Sequence, residues 1–255
     1  MAFNQNELII DRVRSLTAHN LSTGEMLFRL TSLEDPSLSC TAESEEVVDA
    51  IGATITNLYR AKKATFSASN SLISLDLAAA QFGTEKEVAG EDGIVVPTYE
   101  VLDVKDGKIT LSNTPVGEIK YIYALVNGGI ATRYEASAAA AADKFSIEGA
   151  VITVPTDVTG KIYVEYEYSS EKANRIVNKT SEFPEACSMK IYAYFRDKCN
   201  ENIVYSGVIV ANKAKLNPES VELALTSTGK HAFEFQMMRD YCDEEAELFS
   251  IIVAE

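Results

Sequence analysis

Tryptophan is absent from this 255-residue chain, histidine occurs twice, and the four cysteines lie far apart. Each scarcity excludes something. His19 and His231 are isolated and form neither an HExxH pair nor a Cys/His array, so the common zinc ligand sets are missing. Cys40, Cys187, Cys199 and Cys242 contain no CxxC pair, and in a chain made in a reducing cytosol they read as free, buried thiols. No nucleophile-elbow, P-loop or dinucleotide-binding glycine pattern occurs. No stretch reaches the roughly 18 apolar residues that a membrane helix needs. The first residues, Met1 to Glu7, lack a basic region followed by an apolar core, so no secretory signal is expected.

Basic residues are also outnumbered. Lys and Arg total 23 against 38 Asp and Glu, a net charge of −15. A nucleic-acid binder neutralises phosphates with a basic stripe, so this balance argues against sequence-specific DNA or RNA binding. What is present is an ordinary globular composition, with 46% hydrophobic and 24% charged residues, enough to build a core without disulfides or metal.

The dominant texture is β. Residues 8 to 31 carry two extended segments around Ser22-Thr23-Gly24, and Met26, Phe28 and Leu30 alternate with polar or outward positions. Residues 33 to 48 turn polar and acidic, which predicts a long exposed arm or loop. Asp49 and Gly52, set between the β-branched runs Val47-Val48 and Ile55-Thr56, predict a hairpin tip. Arg60, Lys62 and Lys63 follow it, and Lys63 to Ser69 reads as a strand.

One amphipathic helix of about three turns is predicted next, capped by Ser69 or Asn70. Its apolar stripe is Leu72, Leu75, Ala79 and Phe82, and Gly83 ends it. Residues 84 to 94 resemble a linker. From Val95 to Tyr168 six or seven short strands follow at close spacing, the rhythm of a small β-sandwich. The alanine run Ala136 to Ala142 fits either a helical turn or a plain connection. Strands then resume at Met189–Arg196, Ile203–Ala211, Val221–Leu225, Phe233–Met237 and Leu248–Val253. This predicts a discontinuous β domain, residues 1–93 and 170–255, interrupted by a second β module at 94–169.

Catalytic chemistry finds no purchase. The densest carboxylates, Asp243, Glu244, Glu245 and Glu247, form one acidic run rather than two groups facing across a bond. Asp35 and Glu43 to Glu46 lack EF-hand spacing. Tyr121, Tyr123, Tyr163, Tyr166 and Tyr168 suit a sugar platform or cross-strand packing, and their alternation in strands favours packing. No nucleophile, base and orienter can be named together, so an enzyme is not expected, and no cofactor or metal is implied.

Several segments carry a resemblance. Ser32-Leu33-Glu34-Asp35-Pro36, the hairpin Val47-Val48-Asp49-Ala50-Ile51-Gly52, the run from Arg60 to Leu72, and Gly229 to Gln236 together resemble the major tail tube proteins of long-tailed bacteriophages. The resemblance implies a mainly β fold: a tail-tube-like β-sandwich with one flanking α-helix, here with an inserted small immunoglobulin-like β-sandwich. It further implies a virion protein made in the bacterial cytoplasm, forming stacked six-membered rings through which DNA passes without specific binding. Its partners would be other copies of itself and further tail proteins such as tape measure, tail terminator and sheath, with no membrane involved. The expected inter-subunit contacts are Glu34, Asp35, Glu45, Glu46, Asp49, Ile51, Gly52, Arg60, Lys62 and Lys63. Rival readings are a capsid decoration or head–tail joining protein, or a carbohydrate-binding adhesin module.

Overall fold

The computed structural model of the chain describes residues 7–200, 202–219, 221–226, 229–240 and 247–254. In chain order the elements are β1 (Leu8–Asn20), β2 (Met26–Leu30), β3 (Leu33–Val48), β4 (Thr54–Asn70), α1 (Leu75–Phe82) and β5 (Glu87–Val88). There follow β6 (Ile94–Asp103), β7 (Lys108–Thr110), β8 (Tyr121–Val126), β9 (Gly129–Ala136), β10 (Lys144–Glu148), β11 (Val151–Thr153) and β12 (Lys161–Ser170). The chain ends with β13 (Asn174–Arg175), β14 (Ala186–Asp197), β15 (Val204–Leu216), β16 (His231–Met237) and β17 (Ser250–Ala254). The fold is thus mainly β with one helix among the described residues. Two compact units emerge: Met1–Lys86 with Ile176–Glu255, called the body below, and Glu87–Arg175.

The body is an eight-stranded sheet in the order β2-β1-β14-β15-β16-β4-β3, with β17 also paired to β15. Alternation explains its one-sided core. Along β14, Cys187, Met189, Ile191, Ala193 and Phe195 are buried while the residues between them are not. The sheet must curl, because Phe28 on β2 stacks on Phe235 on β16 at 6.3 Å between ring centroids. Four strand spacings of about 4.8 Å would hold these rings roughly 19 Å apart in a flat sheet. Strand β15 is where the path divides: Ser206 to Val210 pair with β17, and Ala214 to Leu216 pair with β16. A register shift opposite Cys187 and Met189 separates the two stretches, and a bulge bends its strand.

Helix α1 closes the core from one side. The predicted cap at Ser69 or Asn70 is displaced: both residues remain in β4, where Asn70 pairs with His231 and Ser69 with Ala232. The ladder extends further than apolar spacing indicates, so the helix is eight residues long and starts after Ser74, whose side chain accepts a hydrogen bond from the Leu77 N–H at 3.3 Å. Its buried face is Leu77, Ala78, Ala79 and Gln81, whereas Leu72 and Leu75 of the predicted stripe are exposed. Gly83 does terminate it in the left-handed region, φ 70°, and a Cβ there would lie 2.2 Å from the Phe183 carbonyl oxygen.

His231 locks the helix to the sheet. Fully buried, it accepts the Ser74 N–H at Nδ1 (3.3 Å), so Nε2 carries the proton and faces Gln81 Oε1 at 2.6 Å. Gln81 in turn donates to the Ala232 carbonyl at 3.1 Å.

Other expectations need correction. Residues 33–48 are not a loop but strand β3, paired along its length with β4. Polar composition misled because neither face of its outer half is buried, and the ladder needs no apolar alternation. The stretch 221–225 forms only an isolated bridge, Leu223 to His231, and the last strand runs from Ser250 rather than Leu248. Of the thiols, Cys187 is buried, with its pKa pushed up to about 11 by burial, but Cys40 and Cys199 are exposed. Cys242 and the acidic residues Asp243 to Glu245 lie outside the described residues, whereas Glu247 is exposed.

The 87–175 unit is built on a seven-stranded path, β6-β12-β8-β9-β10-β11-β7, antiparallel except where β9 and β10 run parallel. Ile122, Phe145, Ile152, Ile162 and Val164 fill its core. The alanine run gives no helix; Ala141 bridges to Lys144. The segment expected as a linker contributes β5, which pairs Glu87 with Arg175 and Val88 with Asn174.

Burial lowers the pKa of His231, because the neutral ring is the form that fits its site. A lowered folded-state value means that this contribution to stability is complete above the unfolded value near 6.5 and declines as pH falls below it. Denaturant unfolding of the chain at pH 7.5 and pH 5.5 is expected to show a loss of stability on acidification, and His231→Gln is expected to reduce that loss.

Candidate assembly interface

The β3–β4 hairpin runs on beyond the rest of the body sheet. Strand β4 pairs with β16 only over Ala64–Asn70, so among the described residues its first ten, 54–63, have β3 as their one ladder partner. All ten are exposed. At about 3.3 Å per residue this is a two-stranded ribbon on the order of 33 Å long. Such a ribbon is marginal alone in water, and it carries its own reinforcement. Arg60 meets Glu45 at 2.8 Å and Lys63 meets Glu43 at 3.5 Å. These pairs are more than half exposed, so each is worth at most about 1 kcal/mol. Ala61, at φ 48°, sits in the register shift between Thr41 and Glu43, where a bulge sharpens the twist.

The tip is a built turn. Asp49 Oδ1 accepts the N–H groups of Ile51 (2.9 Å) and Ala53 (2.8 Å). The Asp49 N–H donates to the Ala53 carbonyl at 2.9 Å, and Gly52 supplies the left-handed φ of 85°. This arrangement leaves Ile51 89% exposed. Below it Ile55 is 65% and Tyr59 73% exposed, with Val48 and Leu58 also open. Glu46 adds a hydrogen bond with the Thr54 hydroxyl, and Lys62 is exposed without an ion pair among the described residues.

Glu34 and Asp35 are elsewhere. Glu34 lies opposite Ser69 at the base of the hairpin, twelve positions along β3 from Glu46, roughly 40 Å away. There Lys230 hydrogen-bonds to Glu34, Ser71 donates to Glu34 at 2.7 Å, and Lys230 approaches Asp35 at 3.8 Å. The Lys230 contact, then the Ser71 hydroxyl, holds the Glu34 carboxyl below its usual range. These two residues tie the hairpin base to the sheet, while Glu45, Glu46, Asp49, Ile51, Gly52 and Arg60 share the ribbon and its tip.

Sequence reasoning missed the exposed apolar residues of the ribbon. Val48 and Ile55 read only as β-branched flanks of the tip, Leu58 and Tyr59 are not singled out, and the structure leaves all four exposed. Among the described residues no group of three or more His, Cys, Asp or Glu side chains converges as a metal site. No helix of the described residues is long and apolar enough to cross a membrane.

Comparison with protein families matches residues 8–251 to the model described as the YomU/Tube protein family. The chain belongs to the YomU/Tube protein family. This agrees with the tail tube resemblance in the sequence and makes the chain a structural protein of a phage tail tube. A comparison with curated proteins returned no match.

Removing the Asp49 carboxylate leaves two turn N–H groups to water. In the isolated subunit Asp49→Ala is expected to speed amide exchange at Ile51 and Ala53 by about tenfold, equivalent to roughly 1.4 kcal/mol, with the core strands unaffected. Hydrogen exchange read by NMR measures this directly.

Proposed function

We propose that this tube-family protein polymerises by closing rings, of six copies, that stack into the hollow tail tube through which DNA is ejected. The observation that carries the reading is the β3–β4 ribbon, which ends in an exposed Ile51 on a hydrogen-bonded turn. A monomer gains nothing from holding such residues in water, whereas a contact between identical copies buries them. The contacts proposed are the tip residues Glu46, Asp49, Ile51 and Gly52 and the ribbon residues Glu45, Arg60, Lys62 and Lys63, with Glu34 and Asp35 bracing the base. Tape measure and terminator proteins are the further partners proposed for this role, together with a sheath protein where the tail is contractile.

The 87–175 unit is proposed as an immunoglobulin-like decoration inserted into the tube fold, with the module proper at 94–169. Its tyrosines pair across strands, which supports packing: Tyr163 stacks on Tyr99 at 5.6 Å and meets Tyr123 in a tilted contact at 6.2 Å.

Negative-stain electron microscopy over a concentration series tests the assembly. Hollow filaments or six-fold rings are expected; a purified chain that stays monomeric at every concentration and with added tail-tip proteins overturns the reading. Deleting Asp49 to Gly52 is expected to stop stacking while leaving a folded subunit by circular dichroism. Replacing Val95 to Tyr168 with a short linker is expected to leave tube formation intact.

A further inference from the structure

The outward face of the body sheet carries an unusual concentration of cations for an acidic chain. Register places the side chains in rows. One row runs Arg12, Tyr194, Ser206 and Ala254; the next runs Ser15, Tyr192, Val208 and Ile252; a third runs Arg29, Thr17, Lys190, Val210 and Ser250. The intervening residues Leu16, Ala18, Met189 and Ile191 point into the core, so these rows share the opposite face. Arg14, at the register shift between Val13 and Ser15, joins them: its guanidinium and that of Arg12 each lie 5.7 Å from the Tyr194 ring centroid.

The middle row begins at the buried Ser15 and turns apolar beyond it, with Tyr192 and Ile252 exposed and Val208 half-buried between them. Cations border it on both sides: Arg12 and Arg14 on one, Lys190 and Arg29 on the other. Arg12 has only a long contact to Asp11, at 3.9 Å. Arg14, Arg29 and Lys190 have no carboxylate partner among the described residues. An apolar centre of tyrosine and isoleucine within an arginine-rich rim has the composition of a protein interface.

The complement is on the same chain. The ribbon tip offers apolar Val48 and Ile51 beside Glu46 and Asp49, two carboxylates that pair with no cation among the described residues. Copies of net charge −15 repel one another, so a contact between them gains most where one surface is locally positive. We propose that the Arg12/Arg14/Lys190 face receives the β3–β4 tip of a second copy, with Ile51 against the Tyr192–Ile252 row and Glu46 and Asp49 against the arginines. The proposal rests on the assembly reading above and names the receiving surface. Tip and face lie on different parts of the body, so the contact is head-to-tail and propagates.

A charge swap tests it. The face variant is Arg12→Glu with Arg14→Glu. The tip variant is Glu46→Lys with Asp49→Asn, which keeps a side-chain acceptor for the turn. Circular dichroism and thermal melting confirm that each is folded. Under conditions where the wild type forms tubes by electron microscopy, each variant alone is expected to stay unpolymerised. An equimolar mixture is expected to restore tubes, since each altered surface then meets its opposite. Tubes from the face variant alone, or no tubes from a mixture of two folded variants, overturn the proposal while leaving the assembly reading intact. Retention of labelled duplex DNA by the wild-type subunit, lost in the face variant and accompanied by normal tubes, also overturns it and assigns the face to a polyanion. A wild type that never polymerises removes the assembly reading itself.

Discussion

The contact between Phe28 and Phe235 expresses the constraint on which the body depends. With one short helix available, a sheet of this width has little else to cover its apolar side, so it must cover itself. Curling brings the β1–β14 half and the β16–β4 half onto one cluster, and the divided pairing of β15 permits the bend. Everything outside that cluster follows. The first ten residues of β4 lie beyond the reach of β16, so the ribbon projects. Tyr192 and Ile252 lie on the opposite side from that cluster and stay exposed.

How much of this the sequence showed depends on whether burial accompanied structure. Strand β14 was legible because Met189, Ile191, Ala193 and Phe195 alternate with polar residues and the core enforces that alternation. Strand β3 was not, since Glu43, Ser44, Glu45 and Glu46 pair without burial and composition alone resembles a loop. The helix was placed too early because Leu72 has the right spacing from Leu75 and Ala79, yet the β4–β16 ladder holds the chain extended through Asn70. Turn chemistry was the reliable local signal: Asp49 and Gly52 marked the tip, and Gly83 the helix end.

The two surfaces proposed for assembly divide in the same way. The tip was legible because its residues are neighbours in sequence. The receiving face was not: Arg12, Arg29, Lys190 and Ile252 come from four strands, and only the register sets them side by side. Net charge concealed it further. A chain total of −15 predicts repulsion everywhere, while the arrangement on the sheet gathers several of the fewer basic residues onto one side. Electrostatic patterning, rather than the sum, is what an interface senses.

The short β5–β13 ladder has a consequence for the unit it closes. It holds Glu87 beside Arg175, bound by an ion pair at 2.8 Å, so the 87–175 unit begins and ends at one point. A unit whose ends already touch adds little closure entropy to the host fold, whatever its length. The junction is therefore a socket. A domain whose own ends lie similarly close satisfies the same closure constraint, whatever lies between those ends.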